Sequence, residues 1–262
     1  MSAGLAEILA LYDAHVRRSP REAGVAFEVL PRVTRMVGRS HASYDNGIVW
    51  SALDAGSADD AIDEAVAFFE GRGVAFEWKL FAHDTPGDLA LRLERRGFVA
   101  EVPETIMVLE PRAAVDAPLA PGVRIVRVEG TEARAGIDAL AEALYDDTMA
   151  SSLARDLAEA PDALSIYVAY VEDAPVAAGW TRFEPHSPFA SLWGGATLPA
   201  HRRRGIYRSL VAARVNEARA RGIRFATVDA RETSRPILEQ LGFARLAPVI
   251  GYVWTPPVPA PP

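Results

Sequence analysis

Apolar and polar residues alternate along "VRIVRV" from Val123, a period of two that predicts a half-buried strand. Directly after it, "TEARAGIDALAEALYDD" brings its apolar residues back every three or four positions, which predicts an amphipathic helix with Thr131 as its N-cap. "LSIYVAYVED", "APVAAGWTRF" and "FASLWGGATL" read as three strands of an antiparallel meander, the first two joined by a tight acidic turn near Asp173 and Pro175. Then follow a helix from Gly205 to Arg221 with Tyr207, Val211, Val215 and Ala218 on one stripe, the strand "RFATVDA", a short helix ending at Leu241 and a last strand. The first half of the chain repeats the later part of this order: helix "ADDAIDEAVAFFEGRG", strand "VAFEWKLFA", helix, strand.

The repetition extends to residue identities. Residues 84–111 align without a gap on residues 229–256, and Asp84, Leu93, Glu94, Gly97, Phe98, Pro103, Val108 and Pro111 all recur 145 positions later. Each copy reads as a short helix stopped by glycine, "LERRGF" and "LEQLGF", that feeds a strand. Such self-similarity suggests a duplicated unit. Between the halves, "EPRAAVDAPLAPG" is rich in proline and alanine without periodicity and reads as a linker; the tail "TPPVPAPP" is expected to be disordered. The expected boundaries are a first domain over 1–110, a linker over 111–121, a second domain over 122–254 and a tail over 255–262.

Composition narrows the chemistry. The chain has 262 residues, half of them apolar, which is enough for two ordinary cores. A formal net charge of -7 gives no support to a nucleic-acid or acidic-membrane partner. The absence of cysteine excludes disulfides, thiolate metal sites and a cysteine nucleophile, and the five histidines show no paired spacing, so no metal is expected. The first residues lack the order of a signal peptide and no apolar run reaches membrane-spanning length, so the expected location is cytoplasmic. Against this acidic background "PAHRRRGIYRSL" stands out, with Arg202, Arg203, Arg204 and Arg208 around Gly205. The stretch lies between a strand and a helix, where backbone N–H groups at the helix start have no internal acceptor and make an anion site. Arginine forks suit phosphate oxygens, and a pyrophosphate would span several amides at once. Solvated arginines on a surface helix are the plainer alternative.

The order of these pieces resembles the GNAT superfamily of acetyl-CoA-dependent N-acyltransferases. Its signature, Arg or Gln, two residues, Gly, one residue, Gly or Ala, is matched by Arg202, Arg203, Arg204, Gly205, Ile206 and Tyr207, and "SRPILEQLGF" resembles its later helix. The resemblance covers about 122–254 and implies an α/β (α+β) fold class: two tandem GNAT-like domains, each a mixed, mostly antiparallel sheet flanked by helices. The first half looks degenerate, because "LDAGSADDAIDEA" puts Asp54, Asp59, Asp60, Asp63 and Glu64 where an arginine-glycine loop should stand, and carboxylates repel a pyrophosphate.

The resemblance further implies acetyl-CoA as acyl-donor cosubstrate. Backbone near Gly195, Ala196 and Thr197 would hold the pantetheine arm and acetyl carbonyl. The amides of Arg203, Arg204, Gly205, Ile206, Tyr207 and Arg208 would cradle the pyrophosphate, and Ser234 would hydrogen-bond the cofactor. Tyr207 departs from the small residue usual there, so its ring must point into the core or along the cofactor. The three assisting side chains of the family have no counterpart: Leu238 stands at the general-acid position, Ser191 or Ala226 at the base, Arg231 at the asparagine. No catalytic residue is therefore assigned. Trp193 is expected to line the acceptor pocket, and Tyr145 and Asp146, with Asp147, to attract a cationic amine. The expected activity is acetylation of a small-molecule amine; the alternative is a non-catalytic acyl-CoA-binding or ligand-sensing protein.

Overall fold

Chain contacts in the structure, a computed structural model, divide the molecule into two units, Met1–Ile106 with Leu246–Pro262, and Met107–Arg245. The residues described are 4–22, 24–119, 121–128, 130–144 and 147–257.

In the first unit α1 (Leu5–Tyr12) continues into a wider helical turn over Asp13–Arg18, followed by β1 (Ala26–Val29), β2 (Val33–Val37) and β3 (Asn46–Ser51). Then come α2 (Ala58–Glu70), β4 (Phe76–Phe81), α3 (Leu89–Arg95), the short β5 (Val99–Ala100) and β6 (Glu104–Leu109), whose residues from Met107 onward belong to the second unit. Strands β1, β2 and β3 pair antiparallel, and β3 pairs parallel with β4. Helix α2 forms because Ala58, Ile62, Ala65 and Phe69 recur at helical spacing, and all four are buried. They pack on Ile48, Phe76 and Trp78, with Phe69 stacked on Phe76 at 4.3 Å.

The second unit holds β7 (Val123–Arg127), α4 (Gly130–Leu144), α5 (Asp147–Glu159), β8 (Leu164–Val171), β9 (Ala174–Phe183) and β10 (Phe189–Thr197). It continues with α6 (Ile206–Ala220), β11 (Phe225–Ala230) and α7 (Arg235–Gln240), after which β12 (Ala244–Trp254) ends the chain's regular structure. The strand order is β7-β8-β9-β10-β11-β6, antiparallel as far as β10 and parallel between β10 and β11. Glu172 and Asp173 both take positive φ, 49° and 64°, the twist that suits a two-residue hairpin and that the acidic turn anticipated. One face of the sheet carries α4 and α5, with Leu140 and Leu153 against Ile166, Val168 and Ala178. The other carries α6 and α7, with Val211, Val215, Leu238 and Leu241 against Leu192 and Ala226. The mixed, mostly antiparallel α/β architecture expected from the sequence is what the chain adopts.

Two local expectations are corrected. Helix α4 spans Gly130–Leu144, and the side chain of Thr131, expected as its cap, lies outside what is described. The segment after Pro111 is docked, not a free linker: Val115 N–H donates to Asn216 Oδ1 at 2.8 Å, Asn216 Nδ2 returns a bond to Val115 O at 3.0 Å, and Ser209 Oγ meets Pro118 O at 3.3 Å. Backbone that must satisfy its polar groups finds them on α6. The units also do not follow a split near residues 111–121. β12 pairs antiparallel with β4, Val249 opposite Phe81 through Trp254 opposite Phe76, and Tyr252 and Trp254 join the first unit's core. The repeat gives the two last strands equivalent sequences, and nothing in the pattern says which sheet each joins. Of the tail, residues 258–262 lie outside the described residues. Among the described residues no helix is long and apolar enough to cross a membrane.

Candidate functional site

The ladder between β10 and β11 runs through Phe189–Phe225, Ala190–Ala226 and Ser191–Thr227 and then stops, although β10 continues to Thr197 and β11 to Ala230. Over the same stretch β10 slips register against β9 between Trp193 and Ala196. A bulge of this kind bends its strand and takes backbone groups out of the regular pairing. A notch therefore opens between two parallel strands, walled on one side by the irregular end of β10. Gly194 sits in the bulge at φ 61°, where a Cβ would fall 1.8 Å from the Trp180 ring.

Helix α6 supplies the floor. Arg214 is 1 % exposed; its Nε donates to Leu210 O at 3.1 Å, and its Nη1 reaches Trp180 O at 3.2 Å and Trp193 O at 3.0 Å. The Tyr207 ring lies against Gly195, whose missing Cβ would stand 2.7 Å from Tyr207 Cε2. The ring thus points into the core, in the cluster that holds Val211 and Leu238, as the departure from a small residue required. Burial pushes the Tyr207 phenol up, while the Arg214 charge and a hydrogen bond with Ser234 pull it down. Ser234 is the N-cap residue of α7 without a capping bond, and its hydroxyl meets Arg231 O at 3.1 Å.

At the mouth of the notch α6 begins without a side-chain cap. Its N-cap is Gly205 at φ 79°, and no atom lies within 4 Å of where a Cβ would be, so the helix start faces open space. Arg203 also takes a positive φ, 60°. Arg202 Nε donates to Thr197 O at 3.0 Å, which ties the loop to β10, while Arg203 and Arg204 are exposed. Thr197 Oγ1 and Arg208 Nε are buried with no hydrogen-bond partner. An uncapped 15-residue helix start that faces open space beside a basic loop fits the pyrophosphate of an acyl-CoA.

The corresponding place in the first unit is filled by the protein itself. Pairing between β3 and β4 also stops early, after Gly47–Glu77 and Ile48–Trp78. Here Asp54 Oδ1 accepts the N–H groups of Gly56 at 2.9 Å and Ser57 at 2.8 Å, so a carboxylate of the chain already occupies the amides before α2. Hydrogen bonds from Ser57 hold Asp54 below the usual carboxylate range. Thr85 Oγ1 donates to Leu53 O at 2.6 Å and laces the two strand ends together. Buried Arg17 donates from Nε to Val49 O at 3.2 Å, grips Asp84 through Nη2 at 2.7 and 2.8 Å, and lies 3.7 Å from the Phe81 ring centroid. Asp59 and Asp63 pair with Arg92 of α3 and with Arg96, its C-cap residue.

Of the expected cofactor residues, Gly195 lies against the Tyr207 ring, the Tyr207 phenol meets Ser234, Ala196 and Thr197 end β10, Gly205 is the N-cap of α6, Ile206 is buried in the apolar core and Arg208 reaches Gln240. Trp193 is 39 % exposed and its Nε1 donates to Ser191 Oγ at 2.8 Å, so the two lie on one face as strand alternation predicts. Tyr145 and Asp146 lie outside the described residues. Leu238 is fully buried among apolar neighbours. Arg214 escaped the sequence reading; the available signal was a charged residue on the buried stripe of α6, between Val211 and Val215. Among the described residues no cluster of side chains could hold a metal.

Residues 135–243 match the model of the acetyltransferase (GNAT) family. Among solved structures, the fold is similar to a GCN5-related N-acetyltransferase from Kribbella flavida, at 17 % identity, with 98 % of each chain covered and a TM-score of 0.70. It is also similar to a functionally unknown conserved protein from Staphylococcus epidermidis, at 13 % identity, covering 95 % of this chain and 100 % of that one, TM-score 0.71. A tandem GNAT protein from the clavulanic acid biosynthesis pathway follows at 12 % identity, with 96 % and 94 % covered and a TM-score of 0.61. No curated protein sequence matches the chain. Residues 135–243 thus match the acetyltransferase (GNAT) family in sequence, and nearly the whole chain is similar in fold to structures described as GNAT proteins.

Proposed function

We propose that the chain transfers the acetyl group of acetyl-CoA to the amine of a small molecule, using the notch of the second unit. The GNAT family match over residues 135–243 supports acyl-CoA-dependent acetyl transfer in general. The observation that carries the assignment to one notch is the contrast between the units: open amides before α6, and amides before α2 already taken by Asp54. In this reading the amides from Arg203 to Arg208 hold the pyrophosphate, and the backbone of Gly195, Ala196 and Thr197 holds the pantetheine arm. The first unit keeps the architecture without the cofactor.

Bound acetyl-CoA supplies an acyl group activated as a thioester. The chain's part is to bind, to orient and to stabilise charge. In this reading backbone donors near the end of β10 stabilise the charge that develops on the acyl oxygen, and donors already held in place need no reorganisation during transfer. Trp193, exposed beside Ser191, offers an aromatic wall to an incoming cation. A second reading, acyl-CoA binding without transfer, is favoured by one observation: Leu238 puts a buried hydrocarbon where the family carries a proton donor. Thiol release from acetyl-CoA, measured against panels of small amines and of peptides, separates these readings. Release that depends on small amines supports the proposal; release with peptides alone, or binding with none, overturns it.

A further inference from the structure

The segment that follows β6 is pinned to α6 by the two bonds between Val115 and Asn216 and by the contact of Ser209 with Pro118. Between this segment and the residues of α6 and α7 lies a cavity of about 340 Å³. That is the small end of the range for ligand sites, roughly 300–1,000 Å³. Ala113 and Ala114 line it and are exposed, so their short side chains leave the space open.

The lining favours one kind of group. Leu109, Pro111 and Leu241 give apolar walls. Arg112 and Arg208 share the lining with Glu110 and Asp116, so its formal charges cancel, and Arg112 already pairs with Glu110 at 2.8 Å. A phosphate gains little from such a lining, whereas an uncharged ring is at home in it. Gln240 adds a side-chain amide, donor and acceptor in one plane, the pattern that matches the N6 amine and N7 of adenine. That amide is only weakly engaged: Arg208 Nη1 donates to Gln240 Oε1 at 3.5 Å, the outer limit of a hydrogen bond, and Arg208 Nε has no partner. A guanidinium so lightly held can lie flat against the face of a base.

Position identifies the source of the ring. Arg208 is the third residue of α6, about 3 Å along the axis from the first, so it belongs both to the proposed pyrophosphate site and to the cavity. Acetyl-CoA carries its adenosine joined directly to that pyrophosphate. We propose that this cavity is an adenine subsite for acyl-CoA, built by the docked residues 109–116 against α6 and α7, with Gln240 reading the edge of the base and Arg208 covering its face. The proposal rests on the acetyl-CoA reading above.

The test uses the full chain and an acetyl-CoA analogue with a photoreactive azide at C2 of adenine, and reads the labelled residues by mass spectrometry. Label is expected within residues 109–116 or on Gln240 and Leu241, and is expected to vanish with excess acetyl-CoA. Calorimetry with acetyl-CoA follows on two variants at exposed positions, where exchanges are well tolerated: Ala114→Trp, which fills the cavity, and Gln240→Leu, which removes the amide. Each should bind about fivefold more weakly or worse. Label confined to other residues overturns this inference alone, as does wild-type affinity in both variants. Label in the cavity that AMP displaces and acetyl-CoA does not would give the cavity to a free nucleotide and overturn it as well. A wild type that binds no acetyl-CoA overturns the functional reading and this inference together.

Discussion

Replacing Leu238 by alanine should cost the protein stability and leave its chemistry nearly intact. Leu238 is fully buried, on the inner face of α7, among Val211, Val215, Ala226, Leu241 and Phe243. Its backbone carbonyl accepts the N–H of Phe243 at 3.0 Å in the turn that ends the helix, a bond the truncation leaves in place. Truncation removes three carbons from a site bounded by α6 on one side and β11 on the other. Neither can move in without disturbing the notch, so little of the cavity will close. A buried leucine cut to alanine costs about 2–5 kcal/mol, and limited collapse places this one near 4 kcal/mol. Urea melts of wild type and variant measure that loss, and turnover is taken at urea-free conditions and normalised to folded protein. If Leu238 is only packing, stability falls by that amount while turnover per folded molecule stays within about threefold. Normal stability with turnover reduced a hundredfold or more, about 2.7 kcal/mol in barrier, would refute the reasoning and give position 238 a part in the chemistry.

Arg17→Met should destabilise the first unit by about 3–5 kcal/mol, because it leaves the buried Asp84 carboxylate without its bidentate partner; a denaturant melt reads this, and acetyl-CoA affinity should not change. Tyr167 is pushed up to about 12, first by burial and then by the nearby Glu217 carboxylate. A tyrosine whose folded pKa lies above its unfolded value of about 10 contributes stability that is full below pH 10 and is lost as pH rises through the folded value. Tyr167→Phe should therefore flatten the fall in stability between about pH 10 and 12, read by melts across that range.

Much of the secondary structure was legible because α2 and α6 carry buried stripes at helical spacing, and the glycines after α3 in the first unit and α7 in the second take φ of 85° and 93° as helix-stopping glycines do. The arginine-glycine stretch before α6 was legible as a candidate anion site because it sets four arginines around a glycine in an otherwise acidic chain, at a helix start. What stayed hidden depends on partners far apart in sequence. Strand β12 carries the same pattern whichever sheet it joins, so its pairing with β4 could not be read. Arg214 drew no reading from the sequence, because the space its guanidinium fills is left by Gly179 and Gly195, on two other strands. The acids before and in α2 were read as repelling phosphate; the structure adds that Asp54 has itself taken the amides.

Isothermal titration of acetyl-CoA into wild type, Gly205→Val and Asp54→Ala tests the central claim most directly. Gly205 holds a left-handed φ at the open start of α6, so a branched side chain there both strains the loop and obstructs the phosphate approach. The account predicts one equivalent bound per chain of wild type, at least about tenfold weaker binding in Gly205→Val, and unchanged stoichiometry and affinity in Asp54→Ala. Two equivalents in wild type, or wild-type affinity in a folded Gly205→Val, would contradict it.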